Sequence, residues 1–252
     1  VKTGDFLPTT VTYPEFKQTL LQDDTCCRRE LGFIIGLYLG SESQHLNDYY
    51  AERLNYKFGI DLKTLQIMTG VGSMLKIPDI FYTESNDVLL GFLDGYLSSI
   101  GGIFDNGSIE FMSESKLLIE GISWVLGRFG VCGCLKIAKM DMLETMKNIN
   151  SMDEQYDESQ FVPVYRLSIY LQFTQKLAHH LTLTNVNHNA ILKRTLSNIY
   201  PPLPYHKNFT QVRDVVLDRV VSITKKPASV GQKVYDLTVP STLNFGLANG
   251  LQ

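Results

Sequence analysis

Long apolar runs are missing from this chain of 252 residues: none reaches bilayer-spanning length, and the opening VKTGDFLPTT lacks the apolar core of a signal peptide. A soluble, intracellular protein with no membrane partner is expected. Tryptophan occurs once, as Trp124, and cysteine four times, as Cys26-Cys27 and Cys132-x-Cys134. That spacing offers neither a CxxC zinc pair nor a secreted disulfide framework, so reduced thiols are expected. Basic charge is not in excess either: 23 Lys and Arg stand against 26 Asp and Glu, for a net charge of −3. The overall field of a dedicated nucleic-acid binder is absent, although a local basic surface is compatible with that total. His179-His180 and His188 stand amid Thr and Asn without partner carboxylates or thiols, the composition of a solvated face and not of a metal site.

What the chain does have is a repeated glycine stripe. LGFIIGLYLGSES from Leu31 and LGFLDGYLSSIGG from Leu90 nearly repeat each other 59 positions apart, with Gly32 and Gly36 recurring as Gly91 and Gly95 and Gly40 falling opposite Ser99. Residues four apart share a helix face, so each segment offers positions small enough for another helix to rest on backbone. The remaining positions are apolar (Phe33, Ile34, Ile35 and Leu37; Phe92, Leu93, Tyr96 and Leu97), as in helices buried on nearly every side. The spacing predicts two helices, about 28–40 and 88–99, packed side by side through their glycines in a duplicated, pseudo-two-fold domain.

Around the stripes the pattern changes several times. Residues 1–14 read as extended and turn-rich. Leu46, Tyr50, Leu54 and Phe58 recur at helical spacing and Gly59 stops them, while Asp87 is a candidate N-cap for the second striped helix. GGIFDNGSIEF reads as a hairpin turning on Asp105-Asn106-Gly107. A helix capped by Ser113 and Glu114 follows, with Trp124 on its apolar face and Gly130 at its end. Residues 148–160 form an acidic linker, VYRLSIYLQF alternates as a strand, and 177–199 is helix-compatible. Tyr200-Pro201-Pro202-Leu203-Pro204 breaks whatever precedes it, and DVVLDRVVSITKK and KVYDLTV beyond it are β in character.

The two stripes resemble the paired motifs of LAGLIDADG homing endonucleases, and the surrounding wording resembles the DOD-type variety embedded in inteins: KIPDIF before the second stripe, SIEFMSESKLLIEGISWVLGRFGV after it. The tail VLDRVVSITKK to KVYDLTVPSTLNFGLANG is similar to the C-terminal splicing blocks of an intein, and VKTGDFLP to the end of the N-terminal one. The resemblance implies an α/β (α+β) protein, a pseudo-two-fold αββαββα endonuclease domain inserted in a β-rich Hint (splicing) domain. The implied division is 1–14, end of the N-terminal splicing segment; 15–208, endonuclease-like domain; 209–252, C-terminal splicing segment.

Such endonucleases need an acid at the C-terminal end of each striped helix, where paired carboxylates hold divalent cations that activate water. That position lies five after the central glycine, which gives Ser41 from Gly36 and Ile100 from Gly95. A hydroxyl is a weak neutral ligand and an isoleucine is none. Glu42 is one residue late, rotated by about 100°, and Asp94, six residues before Ile100, lies on the other side of its helix. A cleavage-dead remnant is the expectation, with Mg²⁺ relevant only if cleavage is retained and no other cofactor. Lys136 and Lys139, with Lys193-Arg194, are the candidate phosphate contacts on double-stranded DNA; scattered surface cations are the plainer reading.

The splicing half is also incomplete by the family's pattern. The chain starts at Val1 where an intein has Cys or Ser, ends at Leu251-Gln252 short of a His-Asn pair, and has Leu243 where many members have His, while Asp236 matches. Asp236 is a candidate for tuning a splicing thiol or proton, with a strand-edge role as the alternative. The expectation is a monomeric intein segment that needs a separate N-terminal intein piece or its host protein, with the host protein setting its location. Two alternatives stand beside it: a DNA-binding module without cleavage, and an active site-specific endonuclease using Glu42.

Overall fold

A computed structural model describes residues 1–10, 25–99, 102–138, 163–169, 171–197, 209–212, 215–220 and 222–225. It is a mixed fold of helices and antiparallel sheet. The order is β1 (Phe6–Thr10), α1 (Thr25–Gly40), α2 (Gln44–Phe58), α3 (Leu62–Thr69), single-turn helices at Gly72–Met74 and Asp79–Tyr82, and α4 (Asn86–Ser99). Then come β2 (Gly102–Ile103), β3 (Ile109–Ser113), α5 (Lys116–Arg128), β4 (Gly133–Ala138), β5 (Val164–Ile169), α6 (Leu171–Ala178), α7 (Val186–Ser197), β6 (Phe209–Val212) and β7 (Val215–Arg219).

The two striped helices pack on each other as the glycines require. A Cβ on Gly32 would run into the Val88 carbonyl oxygen, and one on Gly91 into the Arg29 carbonyl oxygen. Gly36 meets the Phe92 carbonyl in the same way, and Gly95 that of Phe33. The offset of 59 that relates Gly32 to Gly91 also relates Arg29 to Val88 and Phe33 to Phe92, so the contact is reciprocal residue by residue. Backbone lies on backbone, and Ile34, Ile35, Val88, Leu89, Leu93 and Leu97 are buried around it.

Among the described residues the αββαββα order is present once, as α4-β2-β3-α5-β4-β5-α6, so the expected duplication holds for the striped helices and not for the strands after the first of them. Residues 41–85 hold α2, α3 and the two short helices, with no strand. The local chemistry explains this. Ala51 and Leu54 of α2 are buried at helical spacing, Gly59 at φ 69° ends that helix in the left-handed region, and Asp61 caps α3 by accepting from the Thr64 amide at 2.7 Å.

Smaller boundaries also move. Asp87 sits inside the first turn of α4, where its charge suits the positive end of the helix. Ser115, not Ser113 or Glu114, caps α5 by accepting from the Leu118 amide. The strand in VYRLSIYLQF stops at Ile169, with α6 starting at Leu171.

The four-stranded sheet runs β2-β3-β5-β4, all antiparallel. One face carries Ile109, Phe111, Leu167 and Ile169 into a common core with Leu118, Ile122 and Val125 of α5. Phe81, Phe92, Tyr96 and Phe111 continue that core, with ring centroids 5.5–6.0 Å apart. Trp124 packs at its edge against Tyr82.

A separate three-stranded sheet joins β1 to β7 and β6 in the order β1-β7-β6. Phe6 pairs with Arg219 and Thr10 with Val215, and the Gly4 and Val220 amides extend the ladder, each bond 2.8 Å. The boundaries expected at 14/15 and 208/209 adjoin residues outside those described, as does the tail from residue 226. No described helix is long and apolar enough to cross a membrane.

Candidate functional site

The C-terminal end of α1 carries the first position assigned to an acid. Ser41 follows the last residue of the helix, and its Oγ accepts the Ser43 amide at 3.2 Å. Its carbonyl accepts from Asn47 Nδ2 of α2 at 3.3 Å. The hydroxyl and carbonyl are thus spent on turning the chain from α1 into α2. Glu42 is exposed beside it. Ile100, the second such position, lies outside the described residues, as do Lys139 and Asp236.

Next to Ser41 is an open cavity of about 210 Å³ between the end of α1, the start of α2 and the end of α3. Tyr38, Gln44, Asn47, Asp48 and Gln66 line it. Its single carboxylate, Asp48, accepts from Gln44 Nε2 at 2.8 Å. Burial, and the nearby Asp48 charge second, push the Tyr38 hydroxyl above its usual range. No group of three His, Cys, Asp or Glu that could hold a metal occurs among the described residues. Among the described residues, neither Ser41 nor Glu42 belongs to such a group.

Asp94, the other nearby acid, is buried deep in the helix pair. Its Oδ2 accepts from Arg29 Nη2 at 2.6 Å and from Nε at 3.1 Å, and its Oδ1 from the Thr182 amide at 2.6 Å. This carboxylate holds three segments together and is turned away from the helix ends.

The face of the four-stranded sheet opposite α5 is the other candidate surface. Glu110, Met112, Arg166 and Ser168 are only partly buried there, and Lys136 is exposed on the edge strand, directly across from Arg166. Glu110 lies on β3, across β5 from Lys136: its Oε2 is 3.5 Å from Arg166 Nε, and its Oε1 accepts from Ser168 Oγ at 2.9 Å. Of the remaining cations singled out from sequence, Arg194 donates to the Asp105 carbonyl at 2.8 Å and Lys193 is exposed, both on α7. Arg166 and Glu110 went unselected, although the alternation of VYRLSI already places Arg166 on the face away from Leu167 and Ile169. The Arg29–Asp94 pair has no such signal, because its partners lie 65 residues apart.

No protein-family model matches the sequence, and neither does any curated protein. Solved structures of the homing endonuclease I-DmoI are similar in fold. One, from a study of mesophilic variants, shares 13% identity over 63% of this chain and 97% of that chain, with a TM-score of 0.40. Another, an I-DmoI variant in complex with its target DNA and in the presence of manganese, shares 12% identity over 66% of this chain and 98% of that one, with a TM-score of 0.39.

Proposed function

We propose that this chain is a segment of an intein, carrying a LAGLIDADG endonuclease-like domain that does not cleave DNA. The observation that carries the reading is the reciprocal packing of Gly32, Gly36, Gly91 and Gly95, which is the two-fold helix pair the resemblance requires. The pairing of β1 with β7 supports the division into 1–14, 15–208 and 209–252, since strands on either side of the helical region in sequence share one sheet, as flanks of an inserted domain do. Loss of cleavage fits Ser41, whose hydroxyl is neutral and already bonded, and fits the absence of strands between 41 and 85. Asp236 would act in the splicing half and Ile100 mark the second vacant acid position.

The test is to express the open reading frame that contains this chain and read its products by mass spectrometry. Ligated flanking sequence together with an excised intervening chain is expected. A single unprocessed product, in the presence of any complementing N-terminal piece, overturns the intein reading.

A second reading, a DNA-binding module without cutting, is favoured by Lys136 lying opposite Arg166 on the open sheet face. Lys139, Lys193 and Arg194 would add phosphate contacts. Binding that weakens steeply with salt in a gel shift, and that Lys136→Ala reduces, supports it; salt-independent or absent binding excludes it.

A further inference from the structure

The symmetry of the helix pair is broken where polar side chains enter it. Across the offset of 59 the mate of Asp94 is Ile35 and the mate of Tyr38 is Leu97, both fully buried hydrophobes. Tyr38 instead lines the open cavity of about 210 Å³ at the junction of α1, α2 and α3. The walls of that cavity are part of the fold. The 70–75 segment, which closes one side, is tied down at its end: the Lys76 amide donates to the Thr69 carbonyl at 2.7 Å, and Ser115 Oγ donates to the Leu75 carbonyl.

The side-chain polarity that the lining fixes is that of acceptors. Gln44 gives Nε2 to Asp48 Oδ1 at 2.8 Å, and Asn47 gives Nδ2 to the Ser41 carbonyl at 3.3 Å. Both amides spend their donor ends on neighbours within the lining, and Asn47 Oδ1, covered from solvent, meets no donor among the described residues. Asp48 adds a carboxylate close enough to Tyr38 to push its hydroxyl up further than burial alone does. Lys, Arg and His are absent from the described lining, so no cation there offsets these oxygens. The fields of the carboxylate and the amide dipoles add within the cavity whether or not each oxygen is touched. Leu39, Leu62, Val71 and Leu75 supply apolar wall, with Leu62 and Val71 partly open to solvent.

We propose that this cavity binds an alkylguanidinium group, the chemistry shared by free arginine and an arginine side chain of a peptide. Five N–H donors in one plane answer several acceptors at once, and weak hydration lets the group leave water for a wall that is partly aliphatic. The methylene stem suits that wall, and the charged plane suits the face of the Tyr38 ring. A divalent ion lacks the ligands to hold it, since no metal-holding group of three occurs among the described residues. Phosphate is repelled by the same oxygens, so the site is independent of any DNA contact and of the intein reading.

Titration of the unaltered chain with butylguanidinium at low salt, followed by amide NMR shifts, tests the site. Saturable shifts confined to residues 38–48, 62–66 and 70–75 are expected. Butylammonium should bind more weakly, and uncharged butylurea at least about tenfold more weakly. Asp48→Asn should weaken butylguanidinium binding about fivefold, and Glu52→Gln, one turn further along α2, less than about twofold. L-arginine and a blocked Leu-Arg-Leu peptide separate the two sources. Tighter binding of the peptide assigns the site to a protein partner, binding of L-arginine as tight or tighter assigns it to a small molecule, and either supports the site. Absence of saturation, equal binding of butylammonium or butylurea, equal losses at Asp48 and Glu52, or saturation by guanosine in place of butylguanidinium overturns the proposal.

Discussion

The α1 half and the α4 half of this molecule begin alike and then part. Each contributes a glycine-striped helix to a reciprocal contact, yet α4 leads into a four-stranded sheet while α1 leads into α2 and α3. What the halves share is the feature with the least freedom. Each glycine faces a carbonyl of the other helix, and no side chain can occupy that space. What differs is the part each half builds from ordinary packing, where a helix can bury apolar side chains as well as a strand can. The symmetry of the helix interface therefore says little about the symmetry of any surface built on it.

The largest effects should come from the glycines. Gly32→Ala and Gly91→Ala each force a methyl group into a backbone carbonyl, and each should cost on the order of 4 kcal/mol or more in urea denaturation, well beyond the ~1 kcal/mol that alanine gains in helix propensity. Because the contacts are reciprocal, the two costs should agree to within about 1 kcal/mol. A tolerated substitution at one glycine and an intolerable one at its mate would break the comparison.

Next comes the polar asymmetry. Asp94→Ala leaves the Thr182 amide and Arg29 without their acceptor, and should cost about 2 kcal/mol while exposing the 179–184 turn to exchange. Ile35→Val, at the mate position, should cost about 1 kcal/mol and leave that turn untouched. Equal exchange in the two variants would show that the turn is held by something other than Asp94.

The smallest contrast lies between two helix caps. Ser115 accepts the Leu118 amide and donates to the Leu75 carbonyl, so Ser115→Ala should cost about 1–2 kcal/mol by thermal unfolding. Ser43 makes no side-chain cap to α2, and Ser43→Ala should change stability by less than about 0.5 kcal/mol. A larger effect at Ser43 would mean that the turn after Ser41 is under more constraint than its hydrogen bonds indicate.

The sequence was most legible where one residue type answers one physical need. The glycine register gave the helix pair and its partner face, and Asp105-Asn106-Gly107 gave the hairpin turn, with Gly107 at φ 84°. The run Leu46, Tyr50, Leu54, Phe58 also read correctly as a helix, and followed to its consequence it already denied the first half its strands. Resemblance to a duplicated family pulled the other way. The candidate site was less legible because its decisive contacts are long-range. Nothing near Asp94 in sequence points to Arg29 or Thr182, and Glu110 meets Arg166 only once β3 and β5 pair.

The central proposal, a two-fold helix pair without a cutting centre, is tested most directly with DNA of undefined sequence. The purified chain, incubated with a randomised double-stranded library and Mg²⁺ or Mn²⁺, should give no enrichment of cut ends over a metal-free control when the products are sequenced. A recurrent staggered cut at one sequence, dependent on the metal and lost in Glu42→Gln, would contradict it and assign Glu42 a part in cleavage.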